Sequence, residues 1–363
     1  LMTTFLLAAC GDNTNTAAPA ATTAAATTAA AATTAAAATT AAAATTATTA
    51  AAATTAAVAT TAAAGATVTT AATTTAAAAT SAAGASAPAG KVVVGSKNFT
   101  ESKLTSEMYA QALENAGIKV ERKFDLGTVD IAQAAILKGD IDVYPEYTGT
   151  ALLNVLKKTK TTNDAKAVYD TVAAGYTALG LTVLEPAPMN NTNAIAVTKA
   201  VADKYNLKTL SDLSKVADQL RFAAIPDFIG PRSDTDGLGS LQKTYGGFKF
   251  KETKSYEIGL RYQALTTDKA DAVVAFSTDG EIAGYNLVLL EDDKQNFPPY
   301  QFAPVARPAV LSANPQVKEV LNSVSAKITT AKISALNWKV DGPEKQEVTD
   351  VAKAFLKAEG LIK

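Results

Sequence analysis

The composition of the chain breaks at Lys91, and that break decides how much of it can fold. From Gly11 to Gly90 the residues are almost wholly Ala and Thr, recurring as AAAATT, with Asp12 the only charge and no aromatic side chain. Such a tract has nothing from which to build a core. Thr, branched at Cβ, lowers the helix preference of Ala, and no large apolar residue recurs at helical spacing to dock a helix. Residues 11–90 are therefore expected to form a disordered linker. About 270 residues remain from Lys91 onward, enough for one or two cores.

Charge and the missing residue types narrow the function. A formal net charge of -1 gives no sign of the clustered Lys and Arg that phosphate binding needs, so no nucleic-acid partner is expected. The chain has no His, which removes imidazole triads and His-ligated metal sites. Its single Cys, Cys10, excludes an internal disulfide. No cofactor, no metal and no enzymatic activity are expected.

Cys10 closes the stretch LMTTFLLAAC, where a short apolar run passes into small residues. The stretch looks like the tail of a bacterial lipoprotein signal, with LAAC as the lipobox, although the usual basic start is missing and the N-terminus looks truncated. Residues 1–10 are read as a signal remnant, and Cys10 as the lipidated residue that anchors the chain to a membrane. A coil of about 80 residues has a root-mean-square span of roughly 50 Å. That is enough to hold a domain clear of the membrane surface, on its extracytoplasmic side.

Beyond Lys91 the pattern alternates. KVVVGS reads as a buried strand, and the residues after it as a helix capped by Thr100, with Leu104, Met108 and Ala112 on one face and Gly117 at its end. IKVERKF is a strand, VDIAQAAILK a helix ended by Gly139, and IDVY a strand. The alternation resumes with AIAVT, RFAAI, FKFKET near Phe248, a helix around 257–265, and ADAVVAF. Strands alternating with helices predict parallel sheets in two α/β lobes.

The lobes share a local device. KGDIDVYPEYTGT and TDKADAVVAFSTDG each run from a helix end through Asp into an apolar strand, and each places an aromatic residue five positions after the Asp: Asp142 leads to Tyr147, Asp271 to Phe276. Ligands of open α/β sheets bind at the carboxyl ends of strands, so both rings are predicted to face one crevice. Small residues follow each ring, as expected where the backbone NH groups of a helix start meet a ligand. A large aromatic is ordinarily a core residue; it is the paired placement that points to a site. Glu146 and Asp279 lie close enough to draw a cation or to cap a helix, and Trp338 is expected to pack the C-terminal helices.

The motifs GSKNFTES, DVYPEYTGTALL, DQLRFAAIPDF, LLEDDKQNFPPYQFAPVARPAVL and ALNWKVD occur in that order. Through them the chain from Lys91 to Lys363 resembles the glycine betaine/choline/carnitine substrate-binding proteins of bacterial osmoprotectant ABC importers. The resemblance implies a two-lobed periplasmic-binding-protein fold of type II, crossed near Asn191 and near Pro298. One lobe would hold 91–192 plus 299–363 and the other 193–298. It also implies a monomer that hands a quaternary ammonium ligand to a permease with ATPase subunits.

In that family an aromatic box surrounds the ammonium. Tyr147 and Tyr300 match box residues, Phe276 stands where Tyr is common, and Asn193 stands where some members carry Tyr. Lys97, Thr150 and, at a longer spacing, Arg232 match the groups that hold the ligand's carboxylate. The chemistry agrees, because a trimethylammonium donates no hydrogen bond and is favoured through shape, negative charge and ring faces, at about 0.5 to 2 kcal/mol per ring. An amino acid or other small zwitterion remains an alternative ligand, since the Asn193 amide could meet a primary ammonium. A sensory module and an enzyme on the same scaffold remain alternatives in function.

Overall fold

The computed structural model describes residues 90–159 and 162–363. Cys10, the signal remnant and the Ala/Thr tract up to residue 89 lie outside the described residues. Two five-stranded sheets organise the rest. The first uses β1 (Lys91–Gly95), β2 (Lys119–Lys123), β3 (Val143–Tyr147) and β4 (Thr182–Val183). The second uses β5 (Asn193–Thr198), β6 (Arg221–Ala224), β7 (Glu252–Ser255), β8 (Ala272–Phe276) and β9 (Leu287–Leu289). The chain then returns to the first sheet as β10 (Phe302–Ala306), giving the orders β2-β1-β3-β10-β4 and β7-β6-β8-β5-β9.

The sheets are mixed, which corrects the expectation of parallel ones. β1 pairs with β2 and β3, and β6 with β7 and β8, in parallel; β10 and β5 lie antiparallel to β3 and β8. The reason is connectivity: each strand that arrives from the other sheet enters from the cleft side, whereas its neighbour ends there. Phe302 therefore faces Tyr147 in register, and Asn193 faces Phe276. Both sequence aromatics end strands at the same gap between the sheets.

The connecting segments run side by side. Leu184, Ala187 and Asn191 donate backbone bonds to Pro304, Phe302 and Tyr300, and the Tyr300 NH donates to Asn190 Oδ1 at 2.6 Å. The shared Asp device has its own role at the opposite ends of the strands. Asp142 accepts the Val93 NH at 2.9 Å, and Asp271 accepts the Arg221 NH at 2.8 Å, each joined by an Arg, Arg307 and Arg221 respectively.

Helix α1 (Thr100–Asn115) buries Leu104, Met108 and Leu113 against the first sheet and against the C-terminal helices Gln316–Ser325 and Val348–Ala358. Each such side chain contributes about 1.5 to 3 kcal/mol by leaving water. Phe99, not Thr100, is the N-cap of α1; Thr100 is already helical, and its hydroxyl donates to Asp341 Oδ1 at 2.7 Å. Helix α2 (Val129–Lys138) ends as expected at Gly139, whose φ of 83° is left-handed. FKFKET does not begin a strand at Phe248: that residue turns the backbone with φ 59° while its ring is buried, and β7 starts at Glu252.

Candidate functional site

Between the sheets lies a cleft of about 590 Å³, mouth included. Lys97, Tyr147, Thr150, Asn193, Arg232, Phe276 and Tyr300 all line it, so the structure brings together the seven ligand-binding residues named from the sequence, while Cys10 lies outside the described residues. Phe99, Thr128, Asn191, Ile225, Asp227 and Ile258 line it too. Its size suits a small organic ligand.

Tyr147 ends β3 and is nearly buried; its hydroxyl donates to Glu101 Oε1 at 2.7 Å. Its ring centroid lies 5.9 Å from that of Phe99 and 6.3 Å from that of Phe302. Tyr300 follows the second crossing and closes over Gly149 so tightly that a Cβ there would meet its ring carbons at 2.6–2.7 Å. Glycine in YTGT is thus required by the approach of Tyr300 rather than by backbone angles. The Tyr300 hydroxyl donates to Asp236 Oδ2 at 2.7 Å.

Asn193, the first residue of β5, is buried and gives its Nδ2 to the Tyr300 hydroxyl at 3.2 Å and to the Asp236 backbone and carboxylate. It acts here as a prop for Tyr300. Asp236 also pairs with Arg232, through Nε at 3.0 Å and through a second, shorter contact.

The cations do not stand alone. Lys97 Nζ lies 2.6 Å from Glu146 Oε1 and sits 4.7 Å above the Tyr147 ring centroid. Burial pulls its pKa below the ordinary lysine value, the ion pair with Glu146 opposes this, and the charge of Arg232 adds to the depression. Lys97 and Arg232, one cation from each side of the cleft, therefore sense each other. The second lobe repeats the arrangement: the Arg261 guanidinium lies 5.1 Å from the Phe276 centroid, paired with Asp279. Glu146 and Asp279 are thus neither free cation lures nor side-chain helix caps; each accepts the NH of its neighbouring ring residue, Tyr147 at 2.7 Å and Phe276 at 2.8 Å.

Sequence reasoning missed three residues. Phe99 lies two positions after Lys97 in the same GSKNFT motif and gives the cleft a fourth ring; its link to a strand end was the available signal. Glu101 is 3% exposed and accepts from Tyr147, from Asn191 Nδ2 at 2.8 Å and from Asn337 Nδ2 at 2.9 Å. Burial raises its pKa against those hydrogen bonds. Asp236 reads as one carboxylate in a Gly/Pro loop. Trp338 packs on Gly280 and Gly284 and meets Tyr285 edge to face at 5.2 Å, away from the cleft lining.

Among the described residues no helix is long and apolar enough to cross a membrane, and no cluster of His, Cys, Asp or Glu could hold a metal ion. Residues 90–358 match the family model described as the substrate binding domain of ABC-type glycine betaine transport system. A carnitine transport binding protein of Listeria monocytogenes is 34% identical over 265 residues, 72% of this chain and 85% of the relative. A glycine-betaine-binding protein of Pseudomonas aeruginosa is 34% identical over 279 residues, covering 74% and 88%. A crystal structure of a glycine betaine/carnitine/choline ABC transporter protein superposes with a TM-score of 0.64 at 34% identity, covering 75% of this chain and all of that one.

Proposed function

The chain belongs to the family of substrate-binding domains of ABC-type glycine betaine transport systems, and from that premise we propose that its cleft captures a betaine-like zwitterion outside the cytoplasm. The observation that carries the reading is the joint lining of one cleft by four rings, Phe99, Tyr147, Phe276 and Tyr300, and by two facing cations, Lys97 and Arg232. The rings replace the hydration of the methylated nitrogen, and Lys97, Arg232 and Thr150 receive the carboxylate. The ligand's carboxylate returns to Lys97 some of the stabilisation that burial removes.

Residues 91–192 with 299–363 form one jaw, and 193–298 the other. A ligand touching both binds the closed form better and shifts the population toward it, and a permease with ATPase subunits recognises that form. The protein works as a monomer and does no covalent chemistry. Calorimetric titration with glycine betaine, choline, carnitine and proline betaine, with glycine as control, is expected to give at least one saturable quaternary ligand that binds more tightly than glycine. Tighter binding of glycine favours the amino-acid alternative; silence from every quaternary ammonium rejects the ligand class.

Cys10 carries the lipid that holds the protein at the membrane, a reading supported by the LAAC stretch. Cells fed labelled palmitate should yield labelled protein, and Cys10→Ala should abolish the label. Equal labelling of the variant would remove the anchor.

A further inference from the structure

A second compartment of about 690 Å³, mouth included, adjoins the aromatic cleft and shares Asn98, Phe99, Asn191, Ile258 and Phe276 with it. Glu101 and Asp341 enter its wall from α1 and the Thr330–Asp341 helix, and Asp279 and Glu281 from the residues after β8. Its cations are Arg261, which is paired with Asp279, and Lys103, which lies 4.0 Å from Asp125 outside the compartment. Glu281 is only 9% exposed, with Asp279 and Asp341 as like charges and Arg261 opposing them.

Two buried amides line the same space. Asn191 is 8% exposed and Asn337 3%; each spends its Nδ2 on Glu101, and each leaves its Oδ1 without a partner. Glu101 and Asp279 already hold their donors, and Asp341 has one in Thr100. Buried acceptors are normally satisfied, so it is the two amide oxygens, beside Glu281 and Asp341, that leave this wall short of donors. It is complementary to a cationic or multiply donating group and hostile to an apolar one, which would strip water from the carboxylates without replacing it.

We propose that this compartment receives the side chain of an amino-acid betaine, one that ends in a cationic or donor-rich group, while its trimethylammonium and carboxylate lie in the aromatic cleft. Phe99 and Phe276 stand at the junction, where the head and the tail of one such ligand diverge. The inference rests on the betaine reading of the cleft, and its test separates the two. The probes are glycine betaine, the betaine of lysine and the betaine of norleucine, which lacks only the terminal ammonium of lysine.

By calorimetry on the full chain, lysine betaine is expected to bind at least about tenfold more tightly than norleucine betaine, the weight of one charge-assisted hydrogen bond. In the Glu281→Gln, Asp341→Asn double variant the ratio should fall to within about twofold. Equal affinities in the unmodified protein, a comparison that needs no variant to fold, overturn the proposal; so does a ratio unchanged in the variant. If glycine betaine binds and lysine betaine has no advantage, the second compartment fails alone. Silence from all three betaines sinks the reading of the cleft as well.

Discussion

Tyr147→Ala is expected to weaken glycine betaine binding by about 1 to 3 kcal/mol, the contribution of one ring to a methylated cation when water is excluded. Lys97 already shares that ring at 4.7 Å, which places the loss toward the lower end. The same substitution should cost about 3 to 5 kcal/mol of stability, because it empties a core position packed by Phe99 and Phe302. It also leaves the buried Glu101 short of one donor. Calorimetry and urea unfolding separate the two effects. Tyr147→Phe keeps the ring and loses only the hydroxyl, so its binding should stay near that of the parent while stability falls by about 1 to 3 kcal/mol. Unchanged affinity in a folded Tyr147→Ala protein would remove Tyr147 from the ligand site.

Glu281→Gln should stabilise the protein at alkaline pH and do little at acid pH. Burial, helped by Asp279, pushes the Glu281 carboxyl up to about 7 from an ordinary 4.5. A raised acid pKa means that the folded state holds the proton more tightly than the unfolded one. The resulting stabilisation is complete below 4.5, where both states are protonated, and is lost as pH rises through 7. Above that the folded protein carries a buried charge costing up to about 3 kcal/mol, which neutral Gln avoids. Urea unfolding on both sides of this window should therefore show the variant's advantage growing with pH. A gap of the same size at both ends would contradict the assigned environment of Glu281.

Much of the cleft was legible because its residues sit at strand ends that the local pattern marks. Tyr147 and Phe276 were found from an Asp, an apolar run and a fixed spacing, all within a dozen residues, and each does end a strand at the gap. Lys97, Thr150 and Tyr300 came from motifs read whole. The same local logic misread FKFKET, because Phe248 carries a positive φ that alternation of apolar residues does not reveal. It misread Thr100 as a cap because Thr is a good capping residue anywhere, while here its hydroxyl has a partner 241 residues away in Asp341.

Pairings across long separations were beyond periodicity. Tyr300 meets Asp236 across 64 residues, Asn193 meets Tyr300 across 107, and Glu101 gathers donors from 46, 90 and 236 residues away. Asn193 illustrates the cost: as a letter it marks a missing ring, whereas in place it holds another ring steady.

The amino-acid order alone marked the compositional break at Lys91, most of the alternation of strands and helices beyond it, and which rings end strands, since these follow from composition and short-range spacing. Only the tertiary structure decided that the returning strands run antiparallel, that Lys97 and Arg232 come with their own carboxylates, and that a second, acceptor-rich compartment adjoins the first. Those outcomes depend on which distant segments share a low-dielectric space, where pairing and burial set the energy of every charge.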